Sequence, residues 1–138
     1  MSRIDTVLYT AKTRTTGGRT GAARSDDGRL DLQLSPPGSN GAGTNPEQLF
    51  AAGWSACFIG AMNRAAREQS LALPADVAVE AEIDLGTAGP EYFLQARLNV
   101  SLPGLAREVA EAVVHRAHQL CPYSKMSRGN IDVTLNVL

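Results

Sequence analysis

Apolar and polar positions along the chain mark out strands, a helix, two further strands, a second helix and a last strand. Thr6–Thr13 is rich in β-branched and aromatic side chains and predicts a strand. Gly17-Gly18 is a turn signal, and Thr20–Arg24 returns. Asp26-Asp27-Gly28 marks a second turn before Leu30–Leu34, where Leu30, Leu32 and Leu34 alternate with polar residues. The stretch Ser35–Gly43 (SPPGSNGAG) sustains neither helix nor strand and reads as a loop.

A helix is predicted from about Asn45. Two start signals overlap there: Asn45 as N-cap with Pro46 at the first helical position, and Thr44 with Glu47 as a capping box. From Leu49 to Met62 nearly every side chain is apolar or small, so this helix is expected to be central and buried on more than one side. Arg64–Gln69 turns polar and should emerge into water. Beyond Pro74, Val77–Leu85 and Tyr92–Val100 predict strands separated by Gly86–Pro90, with Val77, Val79, Ala81, Ile83 and Leu85 on one face. Leu105–Leu120 carries Leu105, Val109, Val113 and Ala117 at helical spacing and stops before Pro122. Ile131–Val137 is a final strand. The order predicts one α+β domain over residues 1–138, with a mostly antiparallel sheet around a central helix.

Composition narrows the function. The 138 residues are 43% hydrophobic and 20% charged, and 13 basic groups face 14 acidic ones for a formal charge of −1. So balanced a charge argues against a nucleic-acid partner or an anionic membrane surface. No apolar run approaches a membrane span, and the first residues lack a signal-type apolar region, so a cytoplasmic protein is expected. Structural disulfides are rare in that compartment. Cys57 and Cys121 therefore need another explanation.

The residues alone leave several readings open. A cysteine within an apolar helix, as Cys57 is, commonly serves as a small core hydrophobe. Cys121-Pro122-Tyr123-Ser124 is similar to a glutaredoxin active site, but that chemistry needs the thiol at a helix N-terminus after a strand. Here a helix precedes the cysteine, so the match reads as accidental. His115, His118 and Cys121 share one helix flank and Cys57 could complete a set of zinc donors, yet the paired spacing of zinc motifs is missing and no metal is expected. Glu47 suits a first helical turn, Arg19 beside a Gly-Gly turn suits solvent, and the stripe Phe50, Trp54, Phe58, Met62 reads more readily as core than as pocket.

Taken together, the segments carry a resemblance. Gly43-Thr44-Asn45-Pro46-Glu47-Gln48-Leu49-Phe50-Ala51-Ala52-Gly53, continuing through Cys57-Phe58, resembles the organic hydroperoxide resistance family of the OsmC-like superfamily. Cys121-Pro122-Tyr123-Ser124 followed by Ser127-Arg128-Gly129-Asn130-Ile131 is similar to that family's second signature. Thr16-Gly17-Gly18-Arg19 and Asp27-Gly28-Arg29-Leu30-Asp31-Leu32 add N-terminal matches, so the likeness spans nearly the whole chain. Departures are Lys125-Met126-Ser127 between the C-terminal pieces, a shorter loop at Ser35–Gly43 and an additional charge at Arg14.

The resemblance implies an OsmC-like fold in an intertwined homodimer and a thiol peroxidase without metal or other cofactor. Organic hydroperoxides would be reduced to alcohols. Cys57 corresponds to the peroxidatic cysteine, Cys121 to the resolving one, and Arg19 and Glu47 to the charged pair beside the thiol. The reductant would be dihydrolipoyl groups on a lipoylated protein. Phe50, Trp54, Phe58, Met62 and Met126 are the candidates to line an apolar substrate pocket. Two other readings compete: a non-catalytic metal- or small-ligand-binding protein, and a general OsmC-type stress peroxidase with a different reductant.

Overall fold

The computed structural model describes residues 1–138, which fall into two compact units, 1–46 and 47–138.

The first unit holds a three-stranded antiparallel sheet in the order β1-β2-β3, with β1 at Thr13–Thr16, β2 at Ala22–Ser25 and β3 at Asp31–Gln33. The strand expected over Thr6–Thr13 is displaced to β1, because the ladder runs from Thr13↔Ser25 to Thr16↔Ala22 and the preceding residues find no strand partner. Between β1 and β2 the chain makes a single 3-10 turn over Gly18–Thr20, entered through Gly17 at φ 71. Gly21 closes that turn so tightly that a Cβ there would lie 1.7 Å from the Thr16 carbonyl oxygen. Arg19 sits at the crest.

The second unit begins at Glu47 within α1, Pro46–Glu68, which is 23 residues long with Pro46 in its first turn, as the sequence predicts. α1 stops in a Schellman arrangement. The N–H of Leu71 donates to the Ala66 carbonyl and that of Ser70 to the Arg67 carbonyl, with Ser70 in the left-handed region at φ 56.

Strands β4 (Ala78–Ala88) and β5 (Glu91–Ser101) form one long hairpin. The expected five-residue break at Gly86–Pro90 shrinks to Gly89-Pro90, because Gly86↔Phe93 and Ala88↔Glu91 remain paired. After β5 the chain runs through α2 (Arg107–Leu120) and α3 (Pro122–Ser127) to β6 (Asp132–Val137), which lies parallel to β5. Three of the four strand pairings are thus antiparallel, and the parallel one requires the helical crossover between β5 and β6.

The core forms where the apolar faces of α1, β5 and α2 meet: Trp54, Phe58, Met62, Leu98, Val100, Val113 and Val114 are all fully buried. The sheet's other face carries a polar ladder, with Arg97 on Glu82 and Asp84, and Asn99 on Glu82. α1 differs from expectation on one side. Trp54, Phe58, Ala61, Met62, Ala65 and Ala66 are buried, but Ala52, Ala56 and Gly60 form an exposed stripe of small residues. Within one chain the helix is covered on part of its circumference only.

Candidate active site

Two elements bring the cysteines together. Cys57 lies midway along α1, three residues after Trp54, and is half-buried. Cys121 owes its place to Pro122. A residue before proline is pushed out of the helical region, so α2 ends at Leu120 and Cys121 is extended at φ −63, ψ 124. Pro122 then suits the first position of a new helix, since its missing N–H would have no partner there anyway. Cys121 therefore caps both helices: its N–H donates to the Ala117 carbonyl, and its own carbonyl accepts from Lys125 N–H. The sequence reading of Cys121 as a helix end is half the answer, because α3 starts immediately behind it.

At this elbow the thiol of Cys121, fully buried, points at Cys57 with the sulfurs 3.3 Å apart. Both cysteines are free thiols. The separation is a contact between sulfurs, longer than the ~2.05 Å of a disulfide. Burial pushes the Cys57 thiol above its ordinary pKa and the adjacent Cys121 thiol adds to the rise, while the backbone N–H of Tyr123 works against them. These neighbours disfavour the thiolate of Cys57. Rapid thiolate chemistry then calls for a positive charge supplied by another group.

Aromatic side chains lie on the elements that carry the pair. Phe50 meets Trp54 edge to face at 5.3 Å and Tyr123 at 6.1 Å. The Tyr123 ring lies over Gly53, where a Cβ would stand 3.4 Å from Cε2. Of the five residues expected to line a pocket, Trp54, Phe58 and Met62 are fully buried in the core. Phe50 is partly buried and Met126 is 56% exposed, so both remain accessible, and Tyr123, 38% exposed, joins them. Sequence reasoning passed over Tyr123 although it follows Cys121 by two positions in the quoted motif.

Arg19 lies on the 3-10 turn of the first unit and Glu47 in the first turn of α1, and neither is without a partner. No group of three or more His, Cys, Asp or Glu side chains is arranged to hold a metal ion. His115 is exposed, and the Nδ1 of His118 is buried without a hydrogen-bond partner. No helix is long and apolar enough to cross a membrane.

Comparison with known proteins supplies context for this arrangement. The family model described as OsmC-like protein matches residues 38–136. An organic hydroperoxide resistance protein of Xanthomonas axonopodis pv. citri is 45% identical over 141 residues, covering 99% of each chain. The crystal structure of the organic hydroperoxide resistance protein OhrB of Bacillus subtilis superposes with a TM-score of 0.90 at 42% identity, covering 96% of this chain and 100% of that one. An organic hydroperoxide resistance protein structure from Legionella pneumophila gives 0.88 at 43% identity, covering 96% and 98%.

Proposed function

Because this chain belongs to the OsmC-like family, and within it to the organic hydroperoxide resistance proteins, we propose that it is a cysteine-based peroxidase acting on organic hydroperoxides. The observation that carries the reading is the pair of free thiols at 3.3 Å, one partly accessible and one fully buried. Isolated core cysteines would have no reason to meet.

In the proposed cycle the Cys57 thiolate attacks the terminal oxygen of the hydroperoxide. The O–O bond breaks, Cys57 becomes a sulfenic acid, and the departing alkoxide takes a proton to leave as the alcohol. Cys121 then attacks the Cys57 sulfur, a disulfide forms, and hydroxide leaves as water with the thiol proton. The raised pKa of Cys57 gives Arg19 its proposed role: a guanidinium near the sulfur would favour the thiolate and donate to the peroxide oxygens through its planar fork. Glu47 would orient that guanidinium. Phe50, Tyr123 and Met126 are the residues left to desolvate an alkyl or acyl tail, which hydrogen peroxide lacks.

Recycling follows the same exposure pattern. In the disulfide, Cys57 is the sulfur a reductant can reach, since Cys121 is fully buried. A slim dithiol on a flexible arm, such as a dihydrolipoyl group on a lipoylated protein, suits that entry better than the surface of a folded redox protein. A cytoplasmic location accords with a cycle that needs such a reducing partner. The exposed stripe Ala52, Ala56, Gly60, with Met1, Ile4, Val7, Leu8 and Tyr9 exposed in the first unit, supports a homodimer that covers apolar surface.

The test is hydroperoxide consumption by wild type, Cys57→Ser and Cys121→Ser with dihydrolipoamide or thioredoxin as reductant. Cys57→Ser should be inactive, and Cys121→Ser should accumulate sulfenic and then sulfinic acid. Turnover should be faster with dihydrolipoamide, and cumene or lipid hydroperoxide should outrun hydrogen peroxide in kcat/KM. Undiminished activity in Cys57→Ser would sink the mechanism.

A further inference from the structure

A second rung spans the elements that carry the two thiols. Trp54 Nε1 donates to Ser124 Oγ at 3.2 Å, and both side chains are fully buried. Trp54 precedes Cys57 by three residues on α1, and Ser124 follows Cys121 by three residues on the α3 limb. We propose that the Trp54–Ser124 hydrogen bond is a positioning device that holds the α3 limb against α1, so that Cys121 captures the Cys57 sulfenic acid before a second hydroperoxide does.

The limb needs such a tie. α3 has six residues, too short to hold a helix by its own backbone bonds, and it is flanked by extended residues, Cys121 and Arg128. Its far end is fastened to α2 through the Arg128 guanidinium on the His118 carbonyl. The Trp54–Ser124 bond is a fastening toward α1, the helix that carries Cys57. Its geometry is demanding on both sides: the indole offers one donor and no acceptor, and burial leaves it no water as a substitute. Ser124 is itself braced, with its carbonyl accepting from Ser127 Oγ and from the Arg128 N–H.

Capture is sensitive to small shifts. For the disulfide to form, the sulfurs must close from 3.3 Å to ~2.05 Å with the C–S–S–C torsion near a right angle. In that step the Cys121 sulfur bonds to the Cys57 sulfur, the sulfenic S–O bond breaks, and hydroxide leaves as water with the Cys121 proton. The competing step adds a second oxygen, supplied by another organic hydroperoxide that leaves as its alcohol, and turns Cys57 into a sulfinic acid. A limb free to drift by about an ångström favours the second route, because misplacement of that size slows an aligned attack by up to about a hundredfold.

The proposal rests on the peroxidase reading, and the test separates the two. Full-length wild type, Ser124→Ala and Trp54→Phe are treated with increasing cumene hydroperoxide, quenched by alkylation and analysed by mass spectrometry for disulfide and sulfinic acid at Cys57. Both variants should reach half-conversion to sulfinic acid at a hydroperoxide concentration lower by on the order of tenfold. Ser124→Ala should still consume its first equivalent at the wild-type rate. The double variant should match the single ones, because all three lack the same bond. Sulfinic fractions equal to wild type with only a lowered melting temperature would overturn the positioning role, and so would an effect confined to one variant. Should Ser124→Ala fail to fold, Trp54→Phe decides by the same criterion. Failure of the wild type to form the disulfide would instead overturn the peroxidase reading itself.

Discussion

The sulfurs of Cys57 and Cys121 stand 3.3 Å apart across 64 positions of sequence, one on a long helix and the other at the elbow between two shorter ones. Closing them into a bond needs a shift of about an ångström, well within side-chain motion. A mild thiol oxidant should therefore link the pair within the chain. Intact mass should fall by two hydrogens, both alkylation sites should disappear, and the far-ultraviolet circular dichroism should not change. Disulfide-linked multimers as the main product would contradict this geometry.

Burial and the neighbouring thiol raise the pKa of Cys57. If Arg19 supplies the compensating charge, its loss should expose that raised value. Iodoacetamide trapping of Cys57 in a Cys121→Ser background should titrate at higher pH in Arg19→Ala than with Arg19 present. Each unit of such a shift removes about tenfold of the thiolate at neutral pH. Coincident pH profiles would remove Arg19 from the mechanism.

What the chain discloses by itself divides along physical lines. α1, α2 and the β4–β5 hairpin are legible because each satisfies its backbone locally and shows an apolar face of the right period. The N-terminal strand is misplaced because β-propensity is expressed only where a partner edge exists, and here the ladder begins at Thr13. The parallel β5–β6 pairing depends on a crossover through two helices, which leaves no periodic trace. At the site, the resemblance picks out both cysteines, but spacing could not bring them into contact. Pro122 carries two messages at once: it stops α2, and it opens α3. Only the first is legible while the chain is read in one direction.

Phe50 and Phe58 lie two helical turns apart on α1 and should behave differently. Phe58 is fully buried in the core, so Phe58→Ala should destabilise the fold by roughly 3–5 kcal/mol, read from denaturant unfolding. Phe50 is only partly buried and packs against Trp54 and Tyr123, so Phe50→Ala should raise KM for cumene hydroperoxide more than for hydrogen peroxide, at a smaller stability cost. Equal KM effects for the two peroxides would remove Phe50 from the substrate path.

The exposed stripe on α1 makes the proposed homodimer testable. Ala52, Ala56 and Gly60 repeat every four residues, a spacing that lets another backbone approach closely. Ala56→Glu places a charge in that face, so sedimentation should shift from dimer toward monomer. A dimer unaffected by this substitution must be held elsewhere.

Arg97 grips Asp84 with two nitrogens, at 2.8 and 2.9 Å, and reaches Glu82 at 3.1 Å. The guanidinium, helped by Gln95, draws the Asp84 pKa down to about 2, and Asn99 with Arg97 lowers that of Glu82. A carboxylate whose pKa falls on folding stabilises the folded state above its unfolded pKa, ~3.9 for Asp, and loses that contribution as pH drops through the folded value. Stability should therefore hold steady through neutrality and decline from about pH 4 toward pH 2. Arg97→Met should flatten that acid limb, because Asp84 and Glu82 would then titrate nearer their ordinary values. Glu82 is exposed and Arg97 and Asp84 are partly so, so high salt should reduce the difference between wild type and variant. Thermal unfolding across this pH range, at low and high salt, checks both the sign and the screening. An acid limb of equal slope in both proteins would show that the ladder contributes nothing to the pH dependence.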